Sequence, residues 1–377
     1  MNKQILTDRA NPERWSLIRT LRVIHLDALL LFGLLSLLGV GLMILFSAGN
    51  QEVALLSRQL IRMGMAFFGL VVLANIHPDR MRDVAYWVYG AGLILLIAVL
   101  LVGEEGKGAQ RWLNLGVVRF QPSELMKIAV PLLLAAYVAE RPLPPTLPRL
   151  FICFLMVAIP ALLIAKQPDL GTALLIASSG LIVIFLSGIS WAVIISFILA
   201  AASALPVLWY VMHDYQRQRV LTFLNPESDP LGSGYHIIQS KIAIGSGGLF
   251  GRGWLEGTQS QLAFLPERST DFIFSVIAEE FGLMGVGLLL LLYLAIAGRG
   301  LYIAGQAQSS FARLLAGSIS LTFLVYVFVN VGMVTGLLPV VGVPLPLVSY
   351  GGTSMVTLLA GFGILMSIHT HRRMMTS

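Results

Sequence analysis

The sequence predicts an all-α, polytopic membrane protein with about ten transmembrane helices, one large extracytoplasmic loop and a single domain over 1–377. Three observations carry this. First, the chain is 57% apolar and 12% charged, with a mean hydropathy of +0.84; a soluble domain has about 45–50% apolar and about 25% charged residues. Second, that apolar share amounts to roughly 215 of the 377 residues, while ten spans of about 20 residues need about 200. Third, the apolar residues fall into ten runs parted by polar turns. A soluble enzyme, a disordered chain and a disulfide scaffold are excluded, since the single cysteine, Cys153, sits inside an apolar run.

Residues 1–25 are polar and show no cleavable leader, so the first run, 27–48, reads as a signal anchor. Runs near 57–76 and 84–102 follow. A polar stretch, 103–121, leads to Pro122, which suits the first turn of a helix, and to the fourth run, 122–139. The runs 149–165, 170–188 and 190–212 are closely spaced and interrupted by Pro160 and Pro168. The polar loop 214–270 comes next. Runs 271–297, 310–337 and 346–369 complete the set, before a short tail from 370. Helical hairpins with short turns are the economical way to arrange so many spans.

Lys and Arg set the orientation. The N-terminal tail (Lys3, Arg9, Arg14, Arg19, Arg22), alternate short turns (Arg80 and Arg82, Arg141 and Arg149, Arg299 and Arg313) and the C-terminal tail (Arg372, Arg373) fall on one side and hold 13 of the 25 basic residues. The positive-inside rule makes that side cytoplasmic, with both termini there. The opposite face carries eight cations in two loops: Lys107, Arg111, Arg119, Arg217, Arg219, Lys241, Arg252 and Arg268. Long loops escape the rule, so solvated decoration is the plain alternative; an outward-facing anion site is the stronger reading. The net charge of +6 is no argument for nucleic acid, because the excess lies mostly in turns between spans.

Polar residues at membrane depth are costly and are functional candidates by default. Here they gather where the even-numbered spans begin, on the outer side. These starts are Gln121-Pro-Ser123-Glu124-Leu-Met-Lys127, Lys166-Gln-Pro-Asp169-Leu-Gly-Thr172, Glu267-Arg268-Ser-Thr-Asp271, and Ser349-Tyr-Gly351-Gly352-Thr353. Glu124 and Lys127, three apart, share a helix face. Helix N-termini offer free N–H groups and a positive dipole end, which suit anionic oxygens, and the paired glycines permit a backbone nest. The predicted ligand bears phosphate at the outer leaflet.

Each element also has a structural alternative. Glu124 and Lys127 can simply neutralise each other, Asp169 can cap a helix, Asp271 can complement a helix dipole, and Ser349 to Gly352 can bend the chain. One of Glu279 and Glu280, deeper in the eighth span, must find a partner or a proton. Asn330 and Tyr326 read as interhelical hydrogen-bond glue. His236 lacks a second ligand at zinc spacing. The run Gly245 to Gly253 matches neither a Walker loop nor a dinucleotide fingerprint and reads as a mobile loop.

Long stretches of the chain resemble one known family. Asn225-Pro-Glu-Ser-Asp-Pro-Leu-Gly-Ser-Gly-Tyr-His236-Ile-Ile-Gln239-Ser-Lys241 is very similar to the large extracytoplasmic loop of the SEDS proteins (shape, elongation, division and sporulation). Gly257 to Arg268, Thr270 to Phe274, Gln121 to Glu124, Gln167 to Gly171 and Pro346 to Gly352 match as well. The stretches Pro226 to Gly232, Thr258 to Gln261 and Phe264 to Arg268 favour the rod-shape branch over the division branch. Position 269 is Ser where related sequences often have His.

The resemblance implies a ten-span peptidoglycan glycosyltransferase of the bacterial cytoplasmic (inner) membrane, its active site facing the periplasm. The implied substrate is lipid II, a disaccharide-peptide on undecaprenyl pyrophosphate. The implied partners are a class B penicillin-binding protein transpeptidase, other elongation-complex membrane proteins and membrane lipids. Asp271 is the candidate general base for the attacking sugar hydroxyl. Lys127, Arg111, Arg217, Arg219 and Lys241 are candidates to stabilise the leaving pyrophosphate. A divalent cation, Mg or Mn, held by Asp271 or Glu124 is the alternative source of that charge; no organic cofactor is expected. Gln121, Ser123, Lys166, Asp169, His236, Gln239, Glu267, Arg268, Ser349, Gly351 and Gly352 complete the expected substrate contacts. A lipid II transporter is the competing class, but no repeat halves are visible and the charges sit at the outer face, not the midplane. A recruiting scaffold, the third reading, leaves the outer charges unexplained.

Overall fold

The computed structural model describes residues 24–106, 109–114, 119–212, 214–228, 233–261 and 267–372. Thirteen helices lie among the described residues: α1 (Ala28–Ala48), α2 (Val53–Ala74), α3 (Pro78–Val102), α4 (Pro122–Ala139), α5 (Leu147–Lys166), α6 (Leu170–Leu186), α7 (Trp191–Val211), α8 (Asp214–Leu224), α9 (Ser233–Gly247), α10 (Thr258–Gln261), α11 (Ile273–Gly305), α12 (Ser310–Thr335) and α13 (Thr353–Thr370). Eight of them, α1–α5 and α11–α13, are long and apolar enough to cross a bilayer, and α6 and α7 are further apolar helices at the sixth and seventh runs. The chain is an all-α, multi-pass membrane protein.

Local chemistry sets the helix starts. Asp27 accepts from the Leu30 N–H at 2.8 Å, His77 from Asp79 at 3.2 Å, Asp169 from Thr172 at 3.2 Å and Ser309 from Ala312 at 3.1 Å. Each satisfies an N–H that the helix itself leaves unpaired. The cap at His77, with Pro78 in the first turn, starts α3 six residues before the apolar run at 84. Gly336, at φ +75°, ends α12 in the left-handed conformation.

α4 and α12 are the most enclosed spans. Small polar residues at crossings bond to neighbouring backbone: Ser318 Oγ donates to the Ser179 carbonyl (2.8 Å) and Ser367 Oγ to the Ile76 carbonyl (2.5 Å). α13 lies against α2 so closely that a Cβ at Gly363 would overlap the Leu70 carbonyl.

The bundle has two chemically different ends. At the tail end, Arg299 of α11 donates to Asp27 from Nε (3.1 Å) and Nη2 (2.6 Å), and His369 Nε2 lies 3.4 Å from the same carboxylate. Four of the six histidines are at this end: His369, and the group in which His25 stacks on His371 (centroids 4.0 Å apart) while His77 meets His371 edge-on at 5.1 Å. At the loop end, in the stretch expected as a plain polar loop, the described residues form a small antiparallel sheet: β1 (Glu104–Gly106), β2 (Ala109–Asn114) and β3 (Arg119–Phe120). The 214–270 region, also expected as loop, carries α8, α9 and α10.

The eighth span is not one continuous helix. α11 breaks at Gly282 (φ 63°, ψ −163°) into a short segment, 273–281, and a long one, 283–305. Polar backbone groups freed at membrane depth need partners, and the glycine-rich stretch after α9 supplies them. Arg252 and Gly253 donate their N–H groups to the carbonyls of Glu279 and Glu280, both at 3.0 Å. Leu283 and Met284 donate back to Gly248 (3.0 Å) and Leu249 (3.1 Å). A Cβ at Gly247 or Gly251 would overlap the carbonyl of Ala278 or Glu280. The run expected to be a mobile loop is thus backbone packed on backbone, and its glycines serve that close approach.

Candidate active site

Two polar groups form at the loop end, on either side of the segment 341–343. The first spans α4, α6, α12 and the sheet. Lys127 Nζ donates to Glu124 Oε1 at 2.7 Å, both side chains less than a tenth exposed, and sits 5.4 Å from the Tyr326 ring centre. Gln121 Nε2 donates to Asp169 at 3.3 Å, and Arg111 of β2 reaches the same carboxylate (Nε to Oδ2, 3.6 Å) while donating to the Pro168 carbonyl at 2.7 Å. Ser123 is buried in the first turn of α4. Gly171, next to the Asp169 cap, packs on Val341 and Val343.

The second group is the turn before α11 clasped by the chain before α13. Ser349 Oγ accepts from the Leu345 N–H (2.8 Å) and donates to the Thr270 carbonyl (2.6 Å), and the Tyr350 N–H donates to the Ser269 carbonyl at 2.8 Å. Asn330 Nδ2 donates to the carbonyls of Asp271 (2.9 Å) and Val343 (2.7 Å). Asp271 therefore sits in a turn two residues before the helix proper, its backbone fixed from α12. Its carboxylate points at Gly342: a Cβ there would lie 3.4 Å from Asp271 Oδ2. Glu267 accepts from Thr270 Oγ1 at 2.7 Å, and burial lowers the pKa of Arg268. His236, on α9, stacks on Phe272 (5.7 Å); burial holds its pKa below the usual value, with Glu267 pulling the other way.

Other sequence-predicted residues lie apart. Lys166 is exposed at the end of α5, and the neighbouring Gln167 is the buried one, donating to the Leu96 carbonyl at 3.0 Å. Arg217 Nε and Nη2 donate to the Trp209 (2.9 Å) and Tyr210 (2.7 Å) carbonyls at the end of α7. Gln239 and Lys241 are on α9, the latter against Gly336. Gly352 has φ −93° and Gly351 is not among the left-handed glycines; instead of a nest, Gly352 leaves room for Arg62. Glu279 accepts from the Gln259 N–H at 2.8 Å and Glu280 from Ser47 Oγ. Lys107, the tail residues Lys3 to Arg22, Arg373, residues 229–232 and 262–266 of the matching loop, and the side chain of Arg219 lie outside the described residues.

Beside the first group lies a cavity of about 840 Å³ between α2, α3, α4 and α13. Its walls are largely apolar, from Met65, Leu73, Val84, Val88, Leu125 and Val356, with Trp112 and Phe120 of the sheet at its loop-end rim. Arg62 and Glu124 are its two charged lining residues. Sequence reasoning passed over Arg62; the available signal was a cation nine residues into a spanning helix.

The chain matches the family model for FtsW, RodA and SpoVE, described as cell cycle protein, over residues 19–374. It is 55% identical over 354 residues to the peptidoglycan glycosyltransferase MrdB of Escherichia coli K12, covering 94% of this chain and 96% of that one. A chain from a solved structure described as "Structural coordination of polymerization and crosslinking by a peptidoglycan synthase complex" superposes with a TM-score of 0.80 at 37% identity, covering 91% of this chain and 97% of that one. The crystal structure of the rod shape determining protein RodA of Thermus thermophilus gives 0.69 at 31% identity, over 91% and 96%. This chain belongs to the FtsW, RodA and SpoVE family.

Proposed function

We propose that the chain is a peptidoglycan glycosyltransferase that polymerises lipid II into glycan strands for cell elongation. In this reading the loop end faces the periplasm, both termini are cytoplasmic, and a class B penicillin-binding protein crosslinks the product. The observation that carries it is the placement of Asp271. Its backbone is held by Asn330 of α12, its turn is bonded to Ser349, and its carboxylate faces Gly342, which places no side chain against it.

The acceptor sugar's 4-hydroxyl gives its proton to the Asp271 carboxylate as its oxygen bonds to the anomeric carbon of the donor. The bond from that carbon to the pyrophosphate breaks, and undecaprenyl pyrophosphate leaves with the electron pair. A single displacement of this kind inverts the anomeric centre. A positioned base contributes about 10²–10⁴-fold. Negative charge develops on the leaving pyrophosphate, and the enclosed Lys127 and the partly exposed Arg111 are the cations that the first polar group offers it. The apolar cavity suits part of a polyprenyl chain. Among the described residues no three His, Cys, Asp or Glu side chains converge as ion ligands; a divalent cation held by Asp271 or Glu124 is the alternative source of charge for the leaving group.

The test is polymerisation of labelled lipid II by the purified protein with its cognate class B partner, wild type against Asp271→Asn. Glycan strands from the wild type alone, with lipid II binding retained by the variant, support the assignment. A variant that polymerises normally moves the base elsewhere, to Glu124 first. A wild type that moves lipid II between leaflets and makes no strands identifies a transporter.

A further inference from the structure

The α2–α13 side of the apolar cavity carries a charge that the chemistry above does not use. Arg62 lies about 14 Å along α2 from Val53, at 1.5 Å per residue. A guanidinium at that depth is expected to pair with a carboxylate or bond to backbone carbonyls. Among the described residues Arg62 does neither. Its one polar contact is the face of Tyr350, 4.5 Å from guanidinium carbon to ring centre, and Gly352 makes room beside it: a Cβ there would come within 3.2 Å of Arg62 Cδ. Snorkelling alone would carry the group to water at the helix end. Here it instead lies over a tyrosine ring at the wall of an apolar cavity.

The contact with the ring takes up the charge of the guanidinium and leaves its N–H donors without a hydrogen-bond acceptor among the described residues. Those donors form the fork that matches two phosphate oxygens. Glu124, on the same cavity, presents the complementary deficit. Its Oε1 is taken by Lys127, and its Oε2 is buried with no hydrogen-bond partner. The remaining walls are largely apolar. One ligand chemistry answers all three features: an anion for Arg62, a hydroxyl or amide donor for Glu124, and a long hydrocarbon chain for the walls.

We infer that Arg62 is the clamp for the diphosphate of a polyprenyl-diphosphate sugar seated in this cavity, with Tyr350 holding the guanidinium in place and Glu124 Oε2 accepting from the sugar portion. The sugar portion rests on the glycosyltransferase reading; the lipid diphosphate does not. Arg62 thereby holds a substrate at a point separate from the Arg111–Asp169 contact, neither residue of which lines the cavity.

The test measures binding of undecaprenyl diphosphate, undecaprenol and inorganic pyrophosphate to the full-length protein in nanodiscs, for wild type, Arg62→Gln, Arg62→Lys and Tyr350→Leu, with thermal unfolding alongside. Loss of a charged hydrogen-bond pair predicts undecaprenyl diphosphate weakened by roughly ten- to hundredfold in Arg62→Gln. Undecaprenol should bind as in wild type, and Arg62→Lys should fall between the two. Pyrophosphate binding as tight as the lipid form would move the site to a free anion and overturn the inference. So would undecaprenyl diphosphate affinity unchanged in Arg62→Gln, or equal losses for the diphosphate and the alcohol. If Arg62→Gln does not fold, Arg62→Lys and Tyr350→Leu decide, since each keeps or spares the charge. A wild type that polymerises lipid II with a diphosphate affinity indifferent to Arg62 sinks this inference alone. A wild type that binds through Arg62 yet makes no glycan sinks the proposed function alone.

Discussion

Lys127 and Glu124 are bonded at 2.7 Å across one turn of α4, and the pair divides two spaces: Glu124 lines the large apolar cavity and Lys127 a smaller void against α12. Breaking a buried ion pair from one side strands a charge, at about 3–5 kcal/mol, whereas replacing both partners is far milder. Lys127→Met and Glu124→Gln should each lower unfolding stability, the former by about that amount. The double variant should regain most of it while remaining inactive on lipid II. Unfolding in detergent together with the polymerisation assay checks both parts.

Asp271 and Asn330 should separate chemistry from support. Asp271→Asn keeps the turn and removes the base, so polymerisation should fall by roughly 10²–10⁴-fold with an unchanged melting temperature. Asn330→Ala loses two bonds, to the half-buried Asp271 carbonyl and the buried Val343 carbonyl. It should cost about 1–3 kcal/mol of stability as well as turnover. A melting temperature unmoved in Asn330→Ala would refute the clasp.

Gly251→Ala should be among the most damaging small changes in the chain. The residue has φ +80°, and a Cβ would overlap the Glu280 carbonyl, so strain and lost backbone bonds add. A glycine in open helical surroundings, such as Gly287, has nothing within 4 Å of its would-be Cβ, and Gly287→Ala should be neutral or mildly stabilising. Parallel melting curves of the two variants give the comparison.

The histidine group at the tail end should make stability depend on pH. Burial holds His371 below its ordinary pKa of 6.5; its bond to the Ser367 carbonyl works the other way, and the neighbouring His25 and His77 lower it further. A pKa lower in the folded than in the unfolded state means that the unfolded chain binds the proton better. The stability is therefore full above about pH 6.5 and is lost as pH falls through that value. The melting temperature should drop between pH 7.5 and 5.5, and drop less in His371→Gln. Equal slopes in the two proteins would show that His371 does not titrate in this range.

Much of the fold was legible because lipid-spanning helices need length and apolarity, which survive in a linear sequence. The ten runs correspond to α1–α7 and α11–α13. What escaped depended on contacts distant in sequence. The first turn of α3 is polar and is helical because His77 and Pro78 cap it. The sheet of β1, β2 and β3 consists of short strands whose alternation is too brief to read. The break at Gly282 lies inside an apolar stretch and exists because residues 248–253 bond to it. In the site, Gln121, Glu124, Lys127, Arg111 and Asp169 come together as their helix starts and the adjoining loop suggested, whereas Lys166 points to the surface and Gln167 takes the inner position. Arg62 was passed over because a cation in a spanning helix, one turn after Arg58, resembles a snorkelling side chain until its neighbours are known.

The seam at Gly282 also sets the unit in which this protein can be recombined with its relatives. Residues 247–253 and 278–284 hold each other through paired main-chain bonds and glycine contacts that no side chain mediates. A chimera that takes α9 and the following turn from one parent and the start of α11 from another must reproduce that register from two unmatched halves. A chimera that exchanges 233–284 as one block inherits it intact, and brings the Asp271 turn with it.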